Sequence, residues 1–77
     1  MEIVDLVGHI PIPLPISSSA IDSATYTPDD EELEITFTDG STYVYTVDVA
    51  TVAAFISESS QGQFFNSYIR PRGGTPA

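Results

Sequence analysis

Seventy-seven residues make one domain near the lower size limit for an independent core. Eleven acids stand against two arginines and no lysine, a formal net charge of -9, so no basic patch is on offer to a phosphate backbone. There is no cysteine and one histidine, His9, which excludes a disulfide framework and a thiolate metal site and argues against any metal cluster.

The start, "MEIVDLV", has acids where a secretory signal needs positive charge, and no apolar run approaches the length of a membrane span. We therefore expect a cytoplasmic protein (in the host cytoplasm if phage-encoded) with no membrane partner. A short strand is the expectation within "EIVDLVGHI". "HIPIPLPIS" then places a proline at every second position, Pro11, Pro13 and Pro15. In an extended chain all three remove donors from the same edge, and the N–H groups of Ile12, Leu14 and Ile16 face the other. Such a strap pairs with a sheet on one side only. The same alternation puts the Ile12, Leu14 and Ile16 side chains on one apolar face, which we expect to be buried. Residues 1–16 thus read as an arm, expected to dock on another protein or a second copy of this chain, with its own domain as the alternative. The serines at 17, 18 and 19 form a linker that lets it swing.

"AIDSATYT", Ala20 to Thr27, alternates weakly and predicts a first strand. "PDDEE" is a polar turn opened by Pro28. "LEITFT" alternates cleanly, with Leu33, Ile35 and Phe37 on one face. Asp39-Gly40 is a hairpin signal, and "STYVYTV" is the return strand, with Tyr43 and Tyr45 on one face. The period then changes to helical. Val49, Val52, Ala53 and Ile56 form a stripe flanked by Phe55, with Asp48 as N-cap and Gly62 as terminator. A second short helix, "QFFNSYI", follows. Residues 71–77, "PRGGTPA", read as a flexible tail. The expected fold is α+β: a three-stranded antiparallel β-meander followed by two helices packed on one face.

The stretch "GSTYVYTVDVATVAAFISESSQGQFFNSYIR" resembles the KTSC domain family. The matching points are Tyr43-Val44-Tyr45, Val47 ahead of the helix, Gly62 before the aromatic pair, Phe65-Asn66 and Ile69-Arg70. The resemblance runs from about Ser18 to Arg70, giving a KTSC-like domain over residues 17–70 with the arm outside it. It implies a small stand-alone bacterial or phage protein. The family's occurrence at the end of some lysyl-tRNA synthetases has suggested RNA binding, with no established activity. Basic residues that we associate with the family near the glycine are replaced here by Gln61 and Gln63.

Several residue sets invite a functional assignment. Tyr43 and Tyr45 have the makings of a base-stacking platform, weighed against ordinary cover for a sheet face. Asn66 and Arg70, four apart, would share a helical face and grip a carboxylate, phosphate or carbonyl; the alternative is that Arg70 pairs with one of the acids. The acids at 29–32 lack the ligand spacing and central glycine of a calcium loop. His9, the serines and Asp22 contain the letters of a triad but no strained elbow or oxyanion hole. We expect no catalysis and no cofactor. The expected function is a small acidic binding or assembly module acting through Ile12, Leu14, Ile16, Tyr43, Tyr45, Asn66 and Arg70. The alternatives are a nucleic-acid-binding domain and an acidic inhibitor that imitates nucleic acid; a nucleic-acid partner is disfavoured by the charge.

Overall fold

The computed structural model describes residues 10–77, so the strand expected within "EIVDLVGHI" and the position of His9 lie outside the described residues, Ile10 apart. The fold is α+β, but the sheet has five strands rather than three, all antiparallel and in chain order. They are β1 (Ile12–Pro13), β2 (Ile21–Thr27), β3 (Glu32–Phe37), β4 (Thr42–Thr46) and β5 (Thr75–Pro76). Helix α1 (Val49–Ser57) and helix α2 (Gln61–Phe64) follow β4, and α2 runs on as a π-helical turn over Phe65–Ile69. The added strands are the two-residue edges, drawn from the arm and from the tail. The arm pairs through one edge only, as its alternating prolines require, while the tail carries no alternation that would mark a strand.

The meander itself follows from local chemistry. Pro28 opens a short 3₁₀ turn over Pro28–Asp30, closed by Glu31 in the left-handed region (φ 52°). Gly40 takes φ 92° at the β3–β4 hairpin, and the Asp39 carboxylate accepts from the Ser41 N–H and hydroxyl. Register then sorts the side chains. Tyr26, Leu33 and Tyr45 form one row across the inner face, with Ala24, Ile35 and Tyr43 beside it. The register shift between Ile21 and Ser23 explains why "AIDSATYT" alternates poorly: a bulge lets Ile21 and Ala24 both face inward.

Asp48 caps α1 as expected, accepting from the Thr51 N–H and hydroxyl. The buried face of α1 is not the predicted stripe. Val52 and Phe55 are buried, Ile56 is half-buried, and Val49 is 57% exposed. The larger Phe55 ring claims the centre of the interface and turns Val49 and Ala53 outward. Gly62 does not end a helix but sits inside α2. Phe55, Phe65 and Ile69 close the core over Leu33 and Ile35.

The described end of the arm, from Ile12 onward, lies on the chain's own sheet. Ile12 is opposite Tyr26, and the Leu14 N–H donates to the Ala24 carbonyl at 2.9 Å. Alternation therefore turns Pro13 and Pro15 to the outer edge, which offers no donors to a further strand. Gln61, 5% exposed, fastens the arm to the helices. Its Oε1 accepts from the Ser17 N–H at 2.7 Å, and its Nε2 donates to the Pro15 carbonyl at 3.1 Å. Leu14 and Ile16 are half-buried against the core, but Ile12 is 41% exposed, contrary to expectation. The helices cover Leu14 and Ile16 and stop short of Ile12.

Two core phenols are held above the ordinary value of 10.0. For Tyr26 the causes are burial, then the charges of Glu31 and Asp48; for Tyr45 burial outweighs the opposing charge of Arg70. The Tyr26 hydroxyl donates to the Val47 carbonyl at 2.6 Å. A phenol whose pKa is higher folded than unfolded keeps its contribution below the unfolded value and loses it as pH rises through the folded one. Stability is thus expected to be level at neutral pH and to fall above pH 10.0. Urea midpoints across that range test this, and Tyr26→Phe should blunt the fall.

Candidate functional site

Phe65 is the centre of an aromatic cluster at the hairpin end of the sheet's inner face. The rings of Phe37 and Tyr45 meet it edge-on at 5.4 and 5.2 Å, and Tyr43 meets Phe37 at 6.2 Å. These edge-to-face contacts hold the rings in fixed orientations. Above them opens a hollow of about 510 Å³, walled by Phe37, Tyr43, Tyr45, Asp39, Ser41 and Arg70. Strands β3 and β4 supply the aromatic floor, their hairpin supplies Asp39 and Ser41, and the end of the π turn supplies Arg70.

The π turn decides where Arg70 points. The Arg70 N–H donates to the Phe65 carbonyl, five residues back, rather than to Asn66. The guanidinium lies over the Phe65 ring, 5.7 Å from its centroid. The expectation that Asn66 and Arg70 act together from one helical face is not met. Asn66 lines a separate polar hollow with Ser17, Ser18, Ser60 and Gln61, while Arg70 faces the tyrosines. Nor does Arg70 pair with an acid among the described residues. Arg72 takes that part, with its Nη2 3.8 Å from the Asp48 Oδ1. The site is thus Tyr43, Tyr45 and Arg70 together. Ile12, Leu14 and Ile16 lie away from it, at the β1 side of the sheet.

Electrostatically the hollow has two poles. Arg70 and Asp39 both line it and carry opposite charges. The hydrogen bonds from Ser41 hold the Asp39 carboxyl below its ordinary range, so it is ionised at neutral pH. Those bonds occupy Oδ1. In the sequence Asp39 reads only as a turn residue and Phe37 only as part of an apolar strand face. Both were visible as hairpin neighbours of Tyr43, but their place in a site depends on where the chain end carries Arg70.

Gly74 also belongs here. A Cβ at this position would lie 2.6 Å from the Tyr45 Cε2 and Cζ. The tail crosses the ring at that close approach, then pairs Thr75 with Val44 and Pro76 with Tyr43. Tyr45 is buried and cannot yield, so Gly74→Val should lift β5 off, at a cost of about 1–3 kcal/mol for the overpacking. The Ala77 N–H, which donates to the Thr42 carbonyl, should then exchange freely. Retained protection at Ala77 would show that the tail accommodates a side chain.

Comparison with known proteins agrees with this architecture. The KTSC domain model matches residues 17–72. A protein of Tsukamurella paurometabola is 37% identical over 59 residues, covering 75% of this chain and 88% of that protein. The crystal structure of a KTSC domain protein from Yersinia pestis superposes with a TM-score of 0.74 at 36% identity, covering 88% of this chain and 96% of that one.

Proposed function

The chain belongs to the KTSC domain family, and on that premise we propose that it is a non-catalytic binding module that receives a segment of another protein in the hollow of Tyr43, Tyr45 and Arg70. One observation carries this reading. In a chain with eleven acids, one of two arginines has no acid within ion-pair distance among the described residues, and it stands beside two tyrosines at an open hollow. Arginine and tyrosine are the residue types that dominate protein-recognition sites. A displayed library of short peptides, panned against the parent, Arg70→Glu and Tyr43→Ala, tests it. Enrichment with the parent that both variants abolish supports the module; equal enrichment with all three overturns it.

The charge of -9 opposes a nucleic-acid ligand. No binding to mixed single-stranded RNA or DNA at physiological salt is expected by fluorescence anisotropy. Tight binding that weakens steeply with added salt would reverse that.

A second reading, assembly through exchange of the arm between two copies, is favoured by the exposure of Ile10 (54%), just before the edge strand, and of Ile12 on it. Solution mass of the full chain over a concentration series decides it. A monomer mass throughout would remove self-assembly.

A further inference from the structure

The two poles of the hollow point to a particular kind of segment. Resting on the binding-module reading, we propose that the hollow takes the carboxy-terminal end of a peptide whose last residue is lysine or arginine. The terminal carboxylate meets Arg70, and the basic side chain crosses the tyrosines to Asp39.

Three features support this ligand. The Arg70 guanidinium is planar and held over Phe65, so its remaining edge is fixed for a carboxylate, which it can receive through paired hydrogen bonds. The aromatic floor of Phe37, Tyr43 and Tyr45 suits the aliphatic stem and the cationic head of a long basic side chain. Asp39 keeps its orientation because the Ser41 N–H and hydroxyl both bind Oδ1, at 2.9 and 2.6 Å. Neither of these two bonds uses Oδ2, which leaves that oxygen for a ligand cation. A ligand with one charge of each sign also escapes the repulsion that a net charge of -9 imposes on a plain anion. A lone phosphate or an acidic peptide would meet Arg70 favourably and Asp39 unfavourably; the paired ligand satisfies both.

The test is a titration of the isotope-labelled full chain, followed by amide shifts, with three peptides. They share the sequence Ala-Phe-Ala and end in lysine with a free carboxylate, in lysine amide, or in leucine with a free carboxylate. The free-acid lysine peptide should move the amides of Ser41, Tyr43 and Tyr45. Each of the other two should bind at least about tenfold more weakly, the effect of losing one charge-assisted contact. Arg70→Gln should abolish the preference for acid over amide. Asp39→Asn, whose side-chain oxygen can still accept from Ser41, should abolish the preference for lysine over leucine. Peptides that shift the hollow equally whatever their ends would overturn this ligand and leave the binding module standing. Shifts confined to residues elsewhere, or none from any peptide, would overturn the ligand as well, and the panning result then decides the module separately.

Discussion

Phe65→Ala is expected to remove a large part of the domain's stability. Phe65 is buried, receives the edges of Phe37 and Tyr45, and lies beneath Arg70. Removing a buried phenylalanine costs about 3–5 kcal/mol in transfer and cavity terms. The whole stability of a domain this size is about 4–12 kcal/mol, so one such loss consumes a large part of it. Phe55→Ala should behave alike, since Phe55 is fully buried at the α1 interface. Tyr68, 61% exposed, supplies the contrast, and Tyr68→Ala should stay within about 0.5 kcal/mol of the parent. Urea denaturation followed by circular dichroism reads all three. If the Phe65 variant unfolds at the parent's midpoint, the core has been placed around the wrong ring.

The second large effect belongs to Gln61→Leu. The side chain is nearly buried, and its two ends hold the Ser17 N–H and the Pro15 carbonyl, with a longer contact to the Ile56 carbonyl at 3.4 Å. Leucine fills similar space but answers none of these groups. Each partner left unsatisfied costs about 1–3 kcal/mol where water cannot reach it. The expected result is a detached arm on a folded domain. Hydrogen exchange at the Leu14 amide, which binds the Ala24 carbonyl, should rise sharply while the β3 amides stay protected. Gln63→Leu, at an exposed position, should leave both unchanged. A Leu14 amide as protected in Gln61→Leu as in the parent would show that strand pairing alone holds the arm.

The two variants probe different kinds of information. Phe65 lies with Phe64, Tyr68 and Ile69 in the short helical run "QFFNSYI", a local sign of a buried face. Gln61 draws notice only as a departure from the family's basic residues, with no sign of a structural role. A lone glutamine beside a glycine carries no periodicity, and its three partners lie in the arm, in the serine linker and in α1. The one available signal was indirect: a strap of alternating prolines ends in backbone groups that need partners away from β2. The site divides in the same way. Tyr43 and Tyr45 share a face because strands have a period of two. The separation of Arg70 from Asn66 was hidden, because the choice between a four-residue and a five-residue turn is settled by what Phe65 and Ile69 must bury.

By itself the sequence determined the three central strands, the two turns, the cap at Asp48 and the presence of two helices. Each follows from interactions within a few residues: alternation, a proline or glycine in a turn, a carboxylate at a helix start. Tertiary structure alone decided the tail's edge strand, which sheet receives the strap, the face that α1 buries, the role of Gln61 and the joining of Arg70 to the tyrosines. The reason is separation along the chain. Ser17 and Gln61 are 44 residues apart, and the tail reaches β4 only after the helices have crossed the sheet. No local pattern encodes contacts at that range; they arise because the apolar faces must be buried together, and burial fixes which polar groups meet.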